Sequence, residues 1–402
     1  MNVLFLTLLS FDSIKEHNIY TDLLREFVKN EHHVYAVSPV EKHQKQDTHL
    51  IKEENTTILR LQIGNIQKTN IIEKGISTVM IGPLFKNAMR KYFSNVKFDL
   101  VLYSTPPITL VSAIKYVKKR DGAKTYLLLK DIFPQNAVDI GMMNKVGVKG
   151  ILYRYFRQKE KKLYAISDYI GCMSQANVDY VMKHNPEIKS ETVEVCPNSI
   201  EVIDMRVETT TRDEIRQKYG IPIDKKVFIY GGNLGKPQGV SFLIRCLKSQ
   251  IINLDVYFLV VGEGTEFCKL EKFFNEQSPK NMKLMKRLPK EDYDRLVAAC
   301  DIGMIFLNHR FTIPNFPSRL LSYMQAGIPI FAVTDSNTDI GKVIMNGGFG
   351  WWCESNDMKM FNKKIKEICK SALGDMGEKA FLYLKENYSA MKSYEIIVNH
   401  FE

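Results

Sequence analysis

No run of apolar residues in this chain approaches the ~18 needed to cross a bilayer as a helix, although hydrophobic residues make up 45% of its 402. A helical membrane-spanning protein is therefore not the reading. The opening Met1–Leu9 lacks both a basic leading region and a small-residue cleavage site, so a buried strand is expected there rather than a secretory leader. The seven cysteines, at 172, 196, 246, 268, 300, 353 and 369, include no Cys-x-x-Cys pair, and no histidine stands at zinc spacing. That excludes a disulfide framework and a zinc finger, and a reduced, cytosolic chain is expected. Helix-turn-helix, zinc-finger and aromatic RNP signatures are also missing, which sets nucleic acid aside as a partner. Acid is in short supply: 45 Asp and Glu face 56 Lys and Arg, for a net charge of +11. An anionic partner is expected, either a phospholipid surface or a phosphorylated small molecule.

At this length one ordinary core does not suffice, and two domains of roughly 200 residues each are expected. Apolar runs alternate with amphipathic segments throughout. Strands are expected at Asn2–Thr7, His33–Val37, Thr57–Leu61, Leu100–Tyr103, Thr125–Leu129, Tyr169–Met173 and Thr192–Val195. The pattern then restarts with Lys226–Tyr230, Val256–Val260, Ile302–Phe306 and Ile328–Val333. Such alternation predicts βαβ units and parallel sheets covered on both faces. The fold class is thus α/β, two doubly wound Rossmann-like domains, 1–200 and 201–402, joined near Pro197–Arg206. Ligands of such sheets bind outside the carboxyl ends of the strands, so two of them facing each other would form a cleft.

The loops after the strands therefore hold the candidate residues. Gly231-Gly232-Asn233-Leu234-Gly235-Lys236-Pro237-Gln238-Gly239 follows the first strand of the second domain. Its glycines permit close approach of backbone amides to an oxyanion, and Lys236 adds a point charge. It is neither a Walker A loop nor G-x-G-x-x-G, and a glycine-rich turn with a solvated lysine is the competing reading. In Pro314–Ile330, Ser318 can cap a helix whose apolar stripe is Leu320, Leu321 and Met324, ending at Ala326-Gly327. Arg319 at that helix start makes a second anion seat, expected on the same sheet edge. Between the two lie Val261-Gly262-Glu263-Gly264 and Lys286-Arg287-Leu288-Pro289, where a nucleotide base could be held or which could be plain connections. Asp292-Tyr293-Asp294 matches an acidic D-x-D pattern, but inside a helix the two carboxylates diverge, so no metal site is expected. In the first domain, Asp131 stands at the carboxyl end of a central strand, followed by Ile132-Phe133-Pro134, and a polar loop, Leu9–Asn18, follows the first strand.

Four stretches together resemble the retaining glycosyltransferases of the GT-B fold, family 4, and within it the group related to the fucosamine transferase WbuB. They are Tyr230–Gly239, Pro317-Ser318-Arg319-Leu320 through Gly327-Ile328-Pro329, Asp131–Pro134 and Val195-Cys196-Pro197-Asn198. The chain departs from the family pattern at several positions. Its two usual glutamates fall on Pro314 and Ser322, the loop Arg and Lys on Asn233 and Gln238, and the His-Asp pair on Lys130-Asp131. A glycine pair is also absent from Leu9–His17.

The resemblance implies a transfer from a nucleotide diphosphate sugar, UDP-linked, to a polyprenyl-diphosphate-linked glycan in capsule, O-antigen or exopolysaccharide synthesis, with no cofactor and no metal. Domain 1–200 would bind the acceptor through Ser10, Phe11, Lys15, His17 and Lys130. Domain 201–402 would bind the donor through Gly231, Gly232, Asn233, Gly235, Gly262, Glu263, Arg287, Leu288, Pro317, Ser318, Leu320 and Ser322, and its last helix is expected to pack back on the first domain. Asp131, Lys236 and Arg319 would be the catalytic set. A non-catalytic sugar-nucleotide-binding homologue and a nucleotide-sugar 2-epimerase are the alternatives.

Two basic, apolar segments suit an anionic membrane surface on the inner face of the plasma membrane. One is Asn70–Phe93, with Ile71, Ile72, Ile76, Val79, Met80, Ile81, Leu84 and Phe85 among Lys74, Lys86, Arg90 and Lys91. The other is Lys145–Lys162, with Ile151, Leu152, Tyr155 and Phe156 among Lys149, Arg154, Arg157, Lys159, Lys161 and Lys162.

Overall fold

Val227-Phe228-Ile229-Tyr230 is apolar without alternation, and all four side chains are fully buried, as befits a central strand covered on both faces. The computed structural model describes residues 1–66 and 69–401, without the side chains of Ile71, Ile72 and Val148. Ile71 and Ile72 of the first membrane-type segment thus lie outside the described side chains. The chain forms two units, Met1–Glu201 joined by the chain from Ala390 onward, and Val202–Ser389. Both are Rossmann-like.

The first unit is built on β1 (Asn2–Leu6), β2 (His33–Glu41), β3 (His49–Glu53), β4 (Thr56–Ile63), β5 (Leu100–Ser104), β6 (Lys124–Leu129), β7 (Tyr169–Cys172) and β8 (Val193–Val195). They stand in the order β3-β4-β2-β1-β5-β6-β7-β8. All neighbours are parallel except β3, which runs antiparallel to β4. The chain leaves β1 toward β2 and returns to its other side with β5, so the topological switch lies between β1 and β5. The last helix, Ala390–Val398, completes this core with Tyr394, Ile397 and Val398 packed among Phe27, Leu24 and Tyr126.

The second unit holds β9 (Lys226–Asn233), β10 (Val256–Glu263), β11 (Met282–Met285), β12 (Ile302–Phe306), β13 (Ile330–Thr334) and β14 (Gly350–Glu354), all parallel, in the order β11-β10-β9-β12-β13-β14. Its switch point lies between β9 and β12. Three strands escaped the sequence reading. β3 is a short, largely polar edge, β11 is an edge of only four residues, and β14 starts at Gly350, which packs against the backbone of Ile330.

Two helices of the first unit turn apolar side chains to solvent. On Ile71–Tyr92, Ile76 is 62% exposed, with Val79 and Met80 beside it, while Ile81 and Phe85 are buried against the sheet. On Gly147–Ile166, Ile151 is 62% exposed and Leu152 is exposed too, but Phe156 is buried. Those three buried side chains, Ile81, Phe85 and Phe156, are therefore core rather than surface. Arg157 and Lys161 are engaged by Glu160 and Glu187. No helix among the described residues is long and apolar enough to cross a membrane.

Candidate active site

β9 and β10 run on to Asn233 and Glu263, beyond the ends expected at Tyr230 and Val260. The ladder continues because its facing residues are glycine: Gly232 pairs with Gly262, and a Cβ on Gly262 would stand 2.0 Å from the Gly232 carbonyl oxygen. Gly231–Asn233 and Val261–Glu263 are thus strand rather than loop. Gly231 lies against the Tyr293 ring and donates its N–H to the Tyr323 hydroxyl at 3.2 Å. Gly232 has φ +114, a conformation glycine tolerates, and its open side faces Arg319, whose Nη2 would lie 3.6 Å from an added Cβ.

Arg319 opens the short helix Arg319–Gln325 and lays its guanidinium on the Tyr230 ring, 4.6 Å from the centroid. Its Nη1 is shut off from solvent and has no hydrogen-bond partner among the described residues. An unpaired, partly desolvated cation at the switch point of the sheet is poised for an anion.

Arg319 itself is not among the lining residues of a cavity, but Gly232, the glycine that it faces, lines one of about 440 Å³, within the range of small-molecule sites. Seven expected donor residues line it: Gly232, Asn233, Gly262, Glu263, Arg287, Leu288 and Ser322. Four further lining residues, Val261, Lys290, Tyr293 and Asp294, were not expected there. The last three stand at i, i+3 and i+4 on the helix Lys290–Ala298, a spacing that could have marked a shared face. Asp294 accepts from Lys290 at 2.6 Å, whereas Asp292 lies 3.5 Å from Lys218. At the rim Arg287 donates to Glu263 at 2.9 Å.

Other expected donor residues are not brought to the cavity. Lys236 begins a 3₁₀ turn, Lys236–Gln238, stands exposed and does not line the cavity. The Gly235 amide donates to the Gln238 Oε1 at 3.2 Å, and the Leu234 amide to the Glu263 carbonyl at 2.8 Å. These loop donors are satisfied within the protein, so they form no free phosphate cradle. Gly231 is buried and does not line the cavity. Ser318 caps nothing, because it already has helical dihedrals and its side chain makes no capping bond. The amides of Leu320 and Leu321 close onto the Pro317 and Ser318 carbonyls, leaving the helix start largely satisfied. Leu320 is fully buried in the core, and Pro317 also lies off the cavity lining. The expected seat of amides plus two cations thus reduces to Arg319.

In the first unit, Asp131 sits just past the end of β6, near the switch point. Its carboxylate accepts from the Asn136 Nδ2 at 2.6 Å, and burial pushes its pKa up to about 6. Thr105 braces the turn, accepting from the Lys130 and Asp131 amides at 3.0 and 3.2 Å. Lys130 turns away, its Nζ donating to the Cys196 and Pro197 carbonyls at 3.2 and 3.0 Å, so it is a structural tie rather than an acceptor contact. In the loop after β1, Phe11 is core, 2% exposed. Ser10 is exposed and accepts from the Arg60 Nη2 at 2.9 Å. Lys15 is exposed, and His17 faces Arg25 at 3.0 Å in a cluster with Asp22 and Glu201.

Residues 211–381 match the family model of glycosyl transferases group 1. The matched residues lie within the second unit. Relatives of the chain include the probable glycosyltransferase WbjE of Pseudomonas aeruginosa, 26% identical over 330 residues, 82% of this chain and 80% of that one. The putative colanic acid biosynthesis glycosyl transferase WcaI of Escherichia coli K12 is 22% identical over 251 residues, 61% of this chain and 60% of its own. Among solved structures, Anabaena Alr3699/HepE in complex with UDP and glucose is similar with a TM-score of 0.70 at 13% identity, covering 100% of this chain and 99% of that one. The fold class is GT-B, two Rossmann-like α/β domains, and the stretch that matches the family model includes Arg319 and the residues that line the cavity.

Proposed function

We propose that the chain is a retaining, family 4 glycosyltransferase that moves a sugar from a UDP-linked donor to a polyprenyl-diphosphate-linked glycan in bacterial surface-polysaccharide synthesis. The observation that carries this reading is the unpartnered Nη1 of Arg319, whose guanidinium faces Gly232 of the cavity lining, within the stretch that matches the group 1 glycosyl transferase model. The likeness in fold to a protein solved with UDP and glucose, and the relative named for colanic acid biosynthesis, support the donor and pathway classes.

In the transfer, the bond between the sugar's anomeric carbon and the diphosphate oxygen breaks, and negative charge grows on the leaving diphosphate. Arg319 stabilises that charge from a fixed position, and the ring of Tyr230 holds the guanidinium there before reaction begins, so no reorganisation is needed. The cavity walls, Leu288 and Val261 together with the glycine backbone, receive the nucleoside. Asp131, on the other unit, orients the acceptor. The transfer uses no cofactor and no metal. The WbuB-like fucosamine transferase group is the specific class we assign.

The protein works at the inner face of the plasma membrane, held by an anionic lipid surface. Exposed Ile76, Val79, Met80, Ile151 and Leu152, with Lys74, Lys149, Arg154 and Lys162 exposed on the same helices, support that reading.

Incubation of the protein with labelled UDP-sugars, with and without a polyprenyl-diphosphate-linked acceptor and with EDTA present, tests the function. Transfer of label to the lipid-linked acceptor is expected. An epimerised nucleotide sugar, or binding with no product, would overturn the assignment in favour of an epimerase or a non-catalytic homologue. Activity abolished by EDTA would overturn metal independence.

A further inference from the structure

Asp131 stands just past the end of β6, and its carboxylate has few partners. The Asn136 Nδ2 donates to its Oδ2 at 2.6 Å, and no other side chain among the described residues donates to either oxygen. Asn136 belongs to the short helix Gln135–Asp139, whose start is fixed by the Asn136 N–H donating to the Ile132 carbonyl at 3.0 Å. The side chain reaches from there back to the turn at Asp131. Its other end is idle, because the Oδ1 is shut off from solvent and has no hydrogen-bond partner among the described residues. A buried acceptor left unmade is costly. The amide is thus held for the end that serves Asp131. Turned over, it would set Oδ1 against the carboxylate oxygen, two acceptors at hydrogen-bond distance that only a protonated Asp131 could join.

The other groups facing Asp131 give the ionised carboxylate little help. Lys130, the adjacent cation, directs its Nζ to the Cys196 and Pro197 carbonyls. Glu160, buried on the helix Gly147–Ile166, disfavours a charge on Asp131, although Arg157 and Tyr164 donate to its own oxygens at 2.7 and 2.8 Å. Tyr20, just ahead of the helix Thr21–Lys29, is pushed up to about 12, mainly by burial and further by the charge of Asp131, and so stays neutral. Burial also works against the charge of Asp131, and what favours that charge is the Asn136 amide first and the Ile132 backbone N–H second.

We propose that Asn136 is a positioning residue for the transfer, its amide holding the Asp131 carboxylate ionised and turned so that the other oxygen accepts a hydroxyl of the acceptor glycan. The inference rests on the role given to Asp131 under the proposed function. It goes beyond that role by naming the group that fixes the charge of Asp131, and with it the pH range over which transfer runs.

The pH dependence of kcat/KM tests this, with the UDP-sugar and lipid-linked acceptor that give transfer in the assay above. The parent is expected to lose activity as pH falls through about 6. Asn136→Leu fills the same space without a donor and should move that fall upward by about one pH unit, a loss of roughly tenfold on the acid side that nearly vanishes at about pH 8.5. Asn136→Asp, isosteric but with a second carboxylate to share the proton, should move it further. An unmoved fall in both variants would overturn the inference, and an equal loss at every pH would make Asn136 merely structural. Carboxyl NMR titration of the parent, with the Asp131 signal assigned from Asp131→Asn, needs neither substrate nor an Asn136 variant. Ionisation near pH 6 is expected there, and an Asp131 still neutral at about pH 8 would also overturn the inference. No transfer by the parent at any pH would instead overturn the function reading, and the carboxyl titration separates that failure from this one.

Discussion

Arg319 combines two properties that usually conflict. Its guanidinium is partly desolvated on the Tyr230 ring, and one nitrogen is left without a hydrogen bond, which is a cost to stability and a resource for binding an anion. Arg319→Met keeps the length of the side chain and removes the uncompensated charge. We expect its thermal midpoint to equal or exceed that of the parent while kcat/KM falls on the order of 10²–10³, the range for losing one preorganised donor. A lower midpoint with unchanged kcat/KM would make the arginine structural. Asp131 titrates with the opposite consequence. Its folded pKa, about 6, lies above the ordinary 3.8, so the folded chain holds this proton more tightly than the unfolded one. The stability it contributes is complete below the ordinary value and is lost as pH rises through 6. Asp131→Asn should therefore gain on the parent between pH 4 and pH 7.5, by up to about 3 kcal/mol. Urea midpoints at the two pH values check it.

At the scale of elements, the site depends on two strands that approach more closely than side chains allow. Gly262→Ala would put a methyl group against the Gly232 carbonyl, a backbone atom that cannot turn aside. A loss of about 1–3 kcal/mol in denaturant unfolding is expected, with weaker nucleotide binding. Gly75 is the contrast, an exposed glycine in the helix Ile71–Tyr92 with nothing within 4 Å of an added Cβ. There alanine should stabilise by about 0.5–1 kcal/mol. Both positions are glycine, and only the packing separates a required glycine from a replaceable one.

At the scale of the molecule, the chain returns to its first unit for its last helix. Tyr394 packs edge-on to Phe27, 4.9 Å between centroids, and its hydroxyl lies 2.9 Å from the His32 Nε2. Tyr394→Ala should cost about 3 kcal/mol or more, read as a lower midpoint for the first unit's transition. The exposed apolar and basic residues of the helices Ile71–Tyr92 and Gly147–Ile166 carry the membrane proposal. Liposome flotation should recover the protein with anionic vesicles at low salt and release it at high salt, each basic residue near the surface contributing roughly 1 kcal/mol before screening. Equal recovery with neutral vesicles would remove the electrostatic claim, and recovery with neither would remove the membrane.

What the sequence by itself determined is what depends on near neighbours. Unbroken apolar runs such as Phe228–Tyr230 marked the central strands, the repeat of strand and helix marked two doubly wound domains, and the glycines that follow Tyr230, with Arg319, marked the anion-facing edge. The tertiary structure decided which of those residues meet. Lys236 and Arg319 read alike as cations beside turns, yet Lys236 is carried off by its 3₁₀ turn while Arg319 is pressed onto Tyr230. Tyr293 and Asp294 reach the same cavity on a distant helix. A period of two or 3.6 residues specifies which face of an element is buried, but only the pairing of β9 with β10 and β12 brings Gly232, Gly262 and the helix of Arg319 to one edge.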